Sequence, residues 1–250
     1  IVLLRSSRSG FNDPEVWRGG FSLGLILILG FLIQMVGLTN ITPAVSAFLT
    51  SLYVVFTAII GVAIGRQRFT TFMLLGVLLA TFGAGWISGP PRVEFGVGEW
   101  LTVLSGFLFA LHIIVTDSVT RVVDPRQSTG TMMVTVMLLA FLILLIDPMG
   151  YEGDSPLGNS LALLVHFDYL IPLSLCGFFG SFTALALLMK YQKEVSPVRA
   201  ALVYAFEPVW AAVISLGLGL EGDPTFWLFI GAGSLILGNL IIELEPRSIT

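Results

Sequence analysis

Charge is scarce in this chain, and over one long stretch it is missing altogether. Only 11% of the residues are Asp, Glu, Lys or Arg, against 56% hydrophobic. A soluble domain carries about 25% charged residues, so this composition excludes an ordinary soluble fold and marks a membrane protein. From Gly19 to Gly65 there is no charged residue at all. At about 20 residues per crossing, that run holds two transmembrane helices. Their break falls at Thr39-Asn40-Ile41-Thr42-Pro43, where Pro suits the first turn of a new helix. The single Cys176 lies in an apolar run and excludes an intrachain disulfide. The two histidines, His112 and His166, fall near opposite predicted membrane faces. No metal-ligand cluster, Gly-rich phosphate loop or nucleophile–base constellation is present. No catalytic residue, metal or cofactor is therefore expected, and an intramembrane enzyme is the weaker reading. A channel, which shows rings of charge or a carbonyl filter, is weaker too. The net charge of −4 says little about partners. No signal peptide is evident and Ile1 is not a start residue. The chain reads as a fragment lacking its N-terminus.

What is present is a series of apolar spans: 19–38, 42–64, 70–88, 99–117, 129–147, 169–189, 197–220 and 225–243. Ile1-Val-Leu-Leu4 reads as the tail of an earlier one. If the spans alternate across a bilayer, nearly all cations fall on one side. Arg5, Arg8 and Arg18 precede the first full span, and Arg66 and Arg68 follow the second. Arg121 and Arg126 follow the fourth, Lys190, Lys193 and Arg199 the sixth, and Arg247 ends the chain. Arg92 is the exception, beside Glu94 and Glu99. The opposite side also collects Asp147, Glu152, Asp154, Asp168, Glu221 and Asp223. Lys and Arg mark the cytoplasmic side, which makes the C-terminus cytoplasmic. Trp100, Trp227 and Tyr151 fit an interfacial aromatic belt.

Two stretches nearly repeat each other. Residues 41–65, ITPAVSAFLTSLYVVFTAIIGVAIG, match 195–219, VSPVRAALVYAFEPVWAAVISLGLG. Pro43 falls on Pro197, Ala47 on Ala201, Val55 on Val209, Ala58 on Ala212 and Gly65 on Gly219. Phe72, Gly76 and Gly83 then echo Phe226, Gly231 and Gly238. The flanking charges are reversed, with Arg66 and Arg68 after the first copy and Glu221 and Asp223 after the second. The copies are therefore expected to lie upside down relative to each other, a signature of secondary transporters. The first repeat spans 1–90, incomplete at its N-terminus, and the second 97–245. Five spans in the second repeat imply on the order of 40–50 residues before Ile1, at roughly 20 per span. An odd number of spans per repeat also forces inversion.

Ser196-Pro197, Glu207-Pro208-Val209, Gly219-Leu220-Glu221, Gly231…Gly238 and the preceding Gln192-Lys193 resemble the EamA-type branch of the drug/metabolite transporter superfamily. The resemblance covers essentially the whole chain. It implies ten helices in two inverted five-helix repeats, both termini cytoplasmic, moving small metabolites. The first repeat departs from the pattern, with Val54 where the family often has Pro and Gln67 where it often has Glu.

Glu207 is the most informative residue. It lies roughly 15 Å into its span at about 1.5 Å per residue, near the middle of a hydrocarbon core roughly 30 Å thick. An ionisable group there faces a cavity or a partner rather than lipid. Pro208 removes a backbone donor and frees the Tyr204 carbonyl. Glu207 reads either as a substrate-amine ligand or proton-coupling acid, or as a structural hydrogen-bond hub. In the first repeat Ser46, Thr50, Tyr53 and Thr57 are spaced to share one helical stripe. Their counterparts are Ala200, Tyr204, Glu207 and Ala211, so Tyr53 is expected to face Glu207. The stripe reads as a pocket wall, or as hydroxyls bonded to their own helix. Gln34 reads as a pocket amide or an interhelical bond, and His112 as a titrating group or a packing residue. Gly61 and Gly65, with Gly76, Gly83, Gly231 and Gly238, allow close helix packing.

The expected protein is an all-α, multi-pass membrane protein of the inner or plasma membrane, with eight helices complete. Its expected substrate-binding residues are Gln34, Ser46, Thr50, Tyr53, Thr57, Tyr204 and Glu207. It would move a small polar or amphipathic metabolite by alternating access. The alternative is a polytopic scaffold or assembly subunit that transports nothing. Expected partners are a small-molecule substrate and the lipid bilayer, without nucleic acid; a homodimer is left open.

Overall fold

The computed structural model describes residues 13–41, 43–86, 90, 95–146, 167–206, 209–210, 213, 217 and 225–244. All regular structure among them is helical. In chain order the helices are α1 (Pro14–Leu38), α2 (Pro43–Ser51), α3 (Tyr53–Ala63), α4 (Thr71–Trp86), α5 (Val97–Thr120) and α6 (Pro125–Ile146). Then follow α7 (Phe167–Leu175), a π-helical stretch (Cys176–Thr183), α8 (Ala184–Tyr191), a short turn of 3-10 helix, α9 (Pro197–Tyr204) and α10 (Phe226–Glu243).

Local sequence explains where these helices start. Asp13-Pro14, Asp124-Pro125 and Ser196-Pro197 each put a capping side chain before a proline whose missing N–H costs nothing in the first turn. Asp13 Oδ1 accepts from the Glu15 N–H at 2.9 Å, and Asp124 Oδ1 from the Arg126 N–H at 2.8 Å. Thr70 and Thr225 cap α4 and α10 in the same way, accepting from Met73 N–H and Leu228 N–H. Helix α3 ends where Gly65 adopts φ of 69° and Arg66 N–H returns to the Gly61 carbonyl at 2.9 Å.

Five described helical segments are long and apolar enough to cross a membrane: Pro14–Leu38, Val45–Ala63, Val97–Thr120, Pro125–Ile143 and Phe167–Glu194. Helices α4 and α10 are shorter and apolar. Large side chains such as Phe21 and Met35 of α1, Leu78 of α4, Leu138 and Phe141 of α6 and Leu237 of α10 are exposed. Such a surface is favourable only against lipid tails. This is an all-α integral membrane protein. The observed bounds follow the expected spans within about five residues where both ends are described, while the end of the span 197–220 lies outside the described residues; there is one difference. The span 42–64 is interrupted at Leu52, although no proline lies within it after Pro43.

The chain forms two compact units, each drawing on distant parts of the sequence. The first comprises residues 1–28 and 116–194. In it α1 packs on α6 through small residues. A Cβ at Gly20 would overlap Thr131, and one at Gly24 would lie 2.7 Å from the Thr135 side chain. Thr131 Oγ1 also donates to the Val16 carbonyl at 3.2 Å. At the end of α5, Arg121 grips Asp117 with two bonds of 2.8 and 3.2 Å. The hydrogen bond to Asp117 pushes the Arg121 pKa up, and the buried carboxylate is thereby satisfied.

The second unit comprises 29–115 and 195–250. Its core gathers Tyr53, Val54, Ala58, Val77, Ala80, Val198, Leu202, Leu235 and Ile242, with Tyr204 and Val209 packed against them. Helices α4 and α10 cross here at backbone contact. A Cβ on Gly238 would lie 2.7 Å from the Gly76 carbonyl oxygen, and one on Gly76 the same distance from the Gly238 carbonyl. A Cβ on Gly83 would lie 2.5 Å from the Gly231 carbonyl. Going forward along α4 from Gly76 to Gly83 goes backward along α10 from Gly238 to Gly231, so the pair is antiparallel. The same Cβ on Gly83 would lie 2.7 Å from Leu235 N, and that on Gly238 2.9 Å from Ala80 N. If Gly76 is equivalent to Gly231 and Gly83 to Gly238, each of these contacts is the other's mirror partner, as in an isologous interface.

Candidate functional site

The polar stripe of the first repeat turns inward. Ser46 is 2% exposed, Tyr53 8% and Thr57 0%, whereas Ile59 on the other side of α3 is 60% exposed. Thr50, on α2, is half-buried and accepts a hydrogen bond of 2.9 Å from Gln34 Nε2 of α1. The amide of Gln34 is thus an interhelical bond within the second unit, and it ties α1 to the stripe.

Two hydroxyls of this stripe differ from most buried hydroxyls elsewhere. Thr81, Thr102, Ser105, Thr120, Thr129 and Thr135 each donate to a carbonyl one turn back on their own helix. That is the ordinary way for an intramembrane hydroxyl to satisfy itself. Ser46 Oγ and Thr57 Oγ1 are buried and, like Thr116 Oγ1 of α5, have no hydrogen-bond partner among the described residues. Buried polar atoms without partners are few in folded proteins and call for an explanation such as a bound ligand or water.

The other expected residues divide. Tyr204 is half-buried at the end of α9 and packs against the same core cluster that contains Tyr53. Glu207, with Pro208, lies outside the described residues, as do Ala211, Glu221 and His166. Ala200, the counterpart of Ser46, is buried. His112 is buried on α5, and its Nε2 also lacks a partner among the described residues. No group of His, Cys, Asp and Glu suited to a metal occurs among the described residues.

Sequence reasoning passed over Asn239. Its Nδ2 donates to the Leu235 carbonyl at 3.1 Å and, across to α9, to the Leu202 carbonyl at 3.3 Å. The signal was available, because a primary amide in the otherwise apolar α10 needs a partner.

The Gln34–Thr50 bond gives a direct test of packing. Interhelical hydrogen bonds in membranes couple by about 0.6 kcal/mol on average, with a maximum near 1.7. A double-mutant cycle of Gln34→Leu and Thr50→Val, read by thermal unfolding in detergent, should return a coupling of about 0.5–1.5 kcal/mol.

Comparison with known proteins agrees with this architecture. A relative from Archaeoglobus fulgidus, described as an uncharacterized transporter, is 25% identical over 229 residues, covering 92% of this chain and 70% of the relative. A solved structure titled only as a protein crystal structure shares the fold, with a TM-score of 0.69 at 16% identity over 95% of this chain and 79% of that one. The model of the EamA-like transporter family matches residues 1–89 and again residues 96–244. By these two matches, which together span most of its length, the chain belongs to the EamA-like transporter family.

Proposed function

We infer that this membrane transporter moves a small polar or amphipathic metabolite by alternating access, with its central site on the inward stripe of α2 and α3. The observation that carries the reading is the pair of buried, unpartnered hydroxyls, Ser46 Oγ and Thr57 Oγ1. They flank Thr50 and Tyr53 on one face, in a protein where most other buried helical hydroxyls bond to their own helix and, among the described residues, Thr116 Oγ1 of α5 is the one further hydroxyl left open. A dry scaffold gains nothing from buried polar atoms left open. A transporter needs them, because a weakly solvated donor and acceptor set can exchange water for substrate and release it again. Tyr204 and Glu207 supply the opposite wall in this reading.

Two inverted repeats, 1–90 and 97–245, supply the two-fold motion. The mutual contacts of Gly76 with Gly238 and Gly83 with Gly231 support this, since a two-fold axis perpendicular to antiparallel helices generates such a pattern. An axis lying in the membrane plane is the arrangement of inverted-topology transporters. Amino-acid-like compounds fit a wall of hydroxyls and an amide with one carboxyl group. The bilayer is the cell's inner or plasma membrane, with the C-terminus cytoplasmic, as the Lys and Arg distribution directs.

The test is uptake by purified protein in liposomes against a panel of radiolabelled metabolites. At least one member should accumulate faster than in protein-free vesicles. Thr57→Val, which keeps the shape and removes the hydroxyl, should lower that uptake roughly 10-fold, the equivalent of about 1.4 kcal/mol. Uptake of no member, by protein that is folded and monodisperse, would favour the scaffold.

A further inference from the structure

The second unit contains two helix interruptions built to one plan. Leu52 N–H donates to the Leu49 carbonyl at 3.3 Å, and Phe206 N–H to the Val203 carbonyl at 3.2 Å. In an α-helix these donors would reach one residue further back, to Phe48 and Leu202. Laying Pro43 on Pro197 also lays Leu52 on Phe206 and Phe48 on Leu202. The same carbonyl is therefore released at both places. A released carbonyl has no water to turn to in the membrane interior.

Each carbonyl is taken up by a side chain, and the two side chains differ. Ser51 Oγ donates to the Phe48 carbonyl at 2.6 Å. Asn239 Nδ2, from the neighbouring α10, donates to the Leu202 carbonyl at 3.3 Å. Proline is not the shared cause, because Pro208 has Val54 as its counterpart. Nor does the serine hydroxyl force a break, since Ser105 makes the same type of bond inside the unbroken α5. The hydroxyl and the amide hold breaks that the ladder would otherwise close. Gly106 leaves room for the first, since a Cβ there would lie 3.0 Å from the Thr50 carbonyl.

We propose that Ser51 and Asn239 are positioning residues, each holding open one of two matched helix breaks by satisfying its released carbonyl. The helix leaving the first break starts with Tyr53 and carries Thr57; Glu207 follows directly on the second. The first break thus sets the direction in which α3 presents Tyr53 and Thr57. Only this last consequence rests on the transport reading given above.

The test needs no substrate, so its failure leaves transport untouched and the absence of transport leaves it standing. Protein labelled with carbonyl-¹³C leucine and ¹⁵N valine gives signals from only two Leu-Val pairs, Leu164-Val165 and Leu202-Val203. In Asn239→Leu the Leu202 carbonyl resonance should move upfield, toward unbonded carbonyls, while Leu164 stays in place. Asn239→Gln, which keeps the donor, should restore it. If Asn239→Leu does not fold, Asn239→Ala carries the same reading. For the first break the probe is a maleimide reacting with Thr57→Cys in a Cys176→Ser background. Adding Ser51→Ala should change the labelling rate several-fold, and Ser51→Thr in its place should return it. An unmoved Leu202 resonance, or a labelling rate indifferent to Ser51→Ala, would overturn the proposal for that break.

Discussion

Replacing Gly83 with leucine should abolish the folded protein, while replacing Gly233 with alanine on the partner helix should not harm it. The first substitution drives a side chain into backbone. A single Cβ at Gly83 already falls 2.5 Å from the Gly231 carbonyl and 2.7 Å from Leu235 N. Backbone of a packed helix cannot step aside as a flexible side-chain end can, so α4 and α10 must separate. Overpacking in cores costs typically 1–3 kcal/mol where side chains can adjust. Here the two helices lose their contact along its length, and a cost of about 3 kcal/mol or more is expected. Gly233, two residues along α10 from Gly231, has nothing within 4 Å of its ideal Cβ. Alanine there removes the helix penalty of glycine, worth up to about 1 kcal/mol. Thermal unfolding in detergent reads both. Equal tolerance at the two positions would mean that α4 and α10 do not meet through their glycines.

Glu207→Gln should reduce transport roughly 10- to 100-fold, the range of about 1.5–3 kcal/mol for a hydrogen bond to a charged group. The change keeps the shape of the side chain and removes its charge. Folding and membrane insertion should be unaffected. The pH profile separates two roles. If the carboxylate holds a substrate amine, wild-type affinity rises with pH as Glu207 ionises, and the profile of the Gln variant is flat. If Glu207 is a structural hub, both the rate and the profile survive the substitution, and its mechanistic role is withdrawn.

How much of this was legible in the sequence depends on the range of the interaction. The spans were legible because each is a long apolar run bounded by charge or by a Pro-led cap, as at Asp124-Pro125 and Ser196-Pro197. The inward face of 46, 50, 53 and 57 was legible because helical period alone puts those residues together. The interruption at Leu52 was not. Sequence reasoning looks to proline for a break, and this one depends on a backbone donor shifted by one carbonyl and a hydroxyl already common in unbroken helices. The sequence did point to a break near Pro208, and expected the Tyr204 carbonyl to be released. The ladder already changes at the Leu202 carbonyl, two residues before Tyr204, while Pro208 itself lies outside the described residues. Gln34 could be assigned a polar role but not a partner, because Thr50 lies on another helix. Asn239 was overlooked for the opposite reason: it stood alone in an apolar helix without a motif around it.

The central claim is that the stripe on α2 and α3 lines a path open alternately to both sides of the membrane. A cysteine placed at Thr57 in a Cys176→Ser background tests it, using a membrane-impermeant maleimide on right-side-out and inside-out vesicles. Thr57 is fully buried in the structure, so modification requires the path to open. The account predicts that the reagent reaches position 57 from both sides. Modification from one side only would contradict alternating access, and modification from neither would identify a closed, packed interior and a protein that carries nothing.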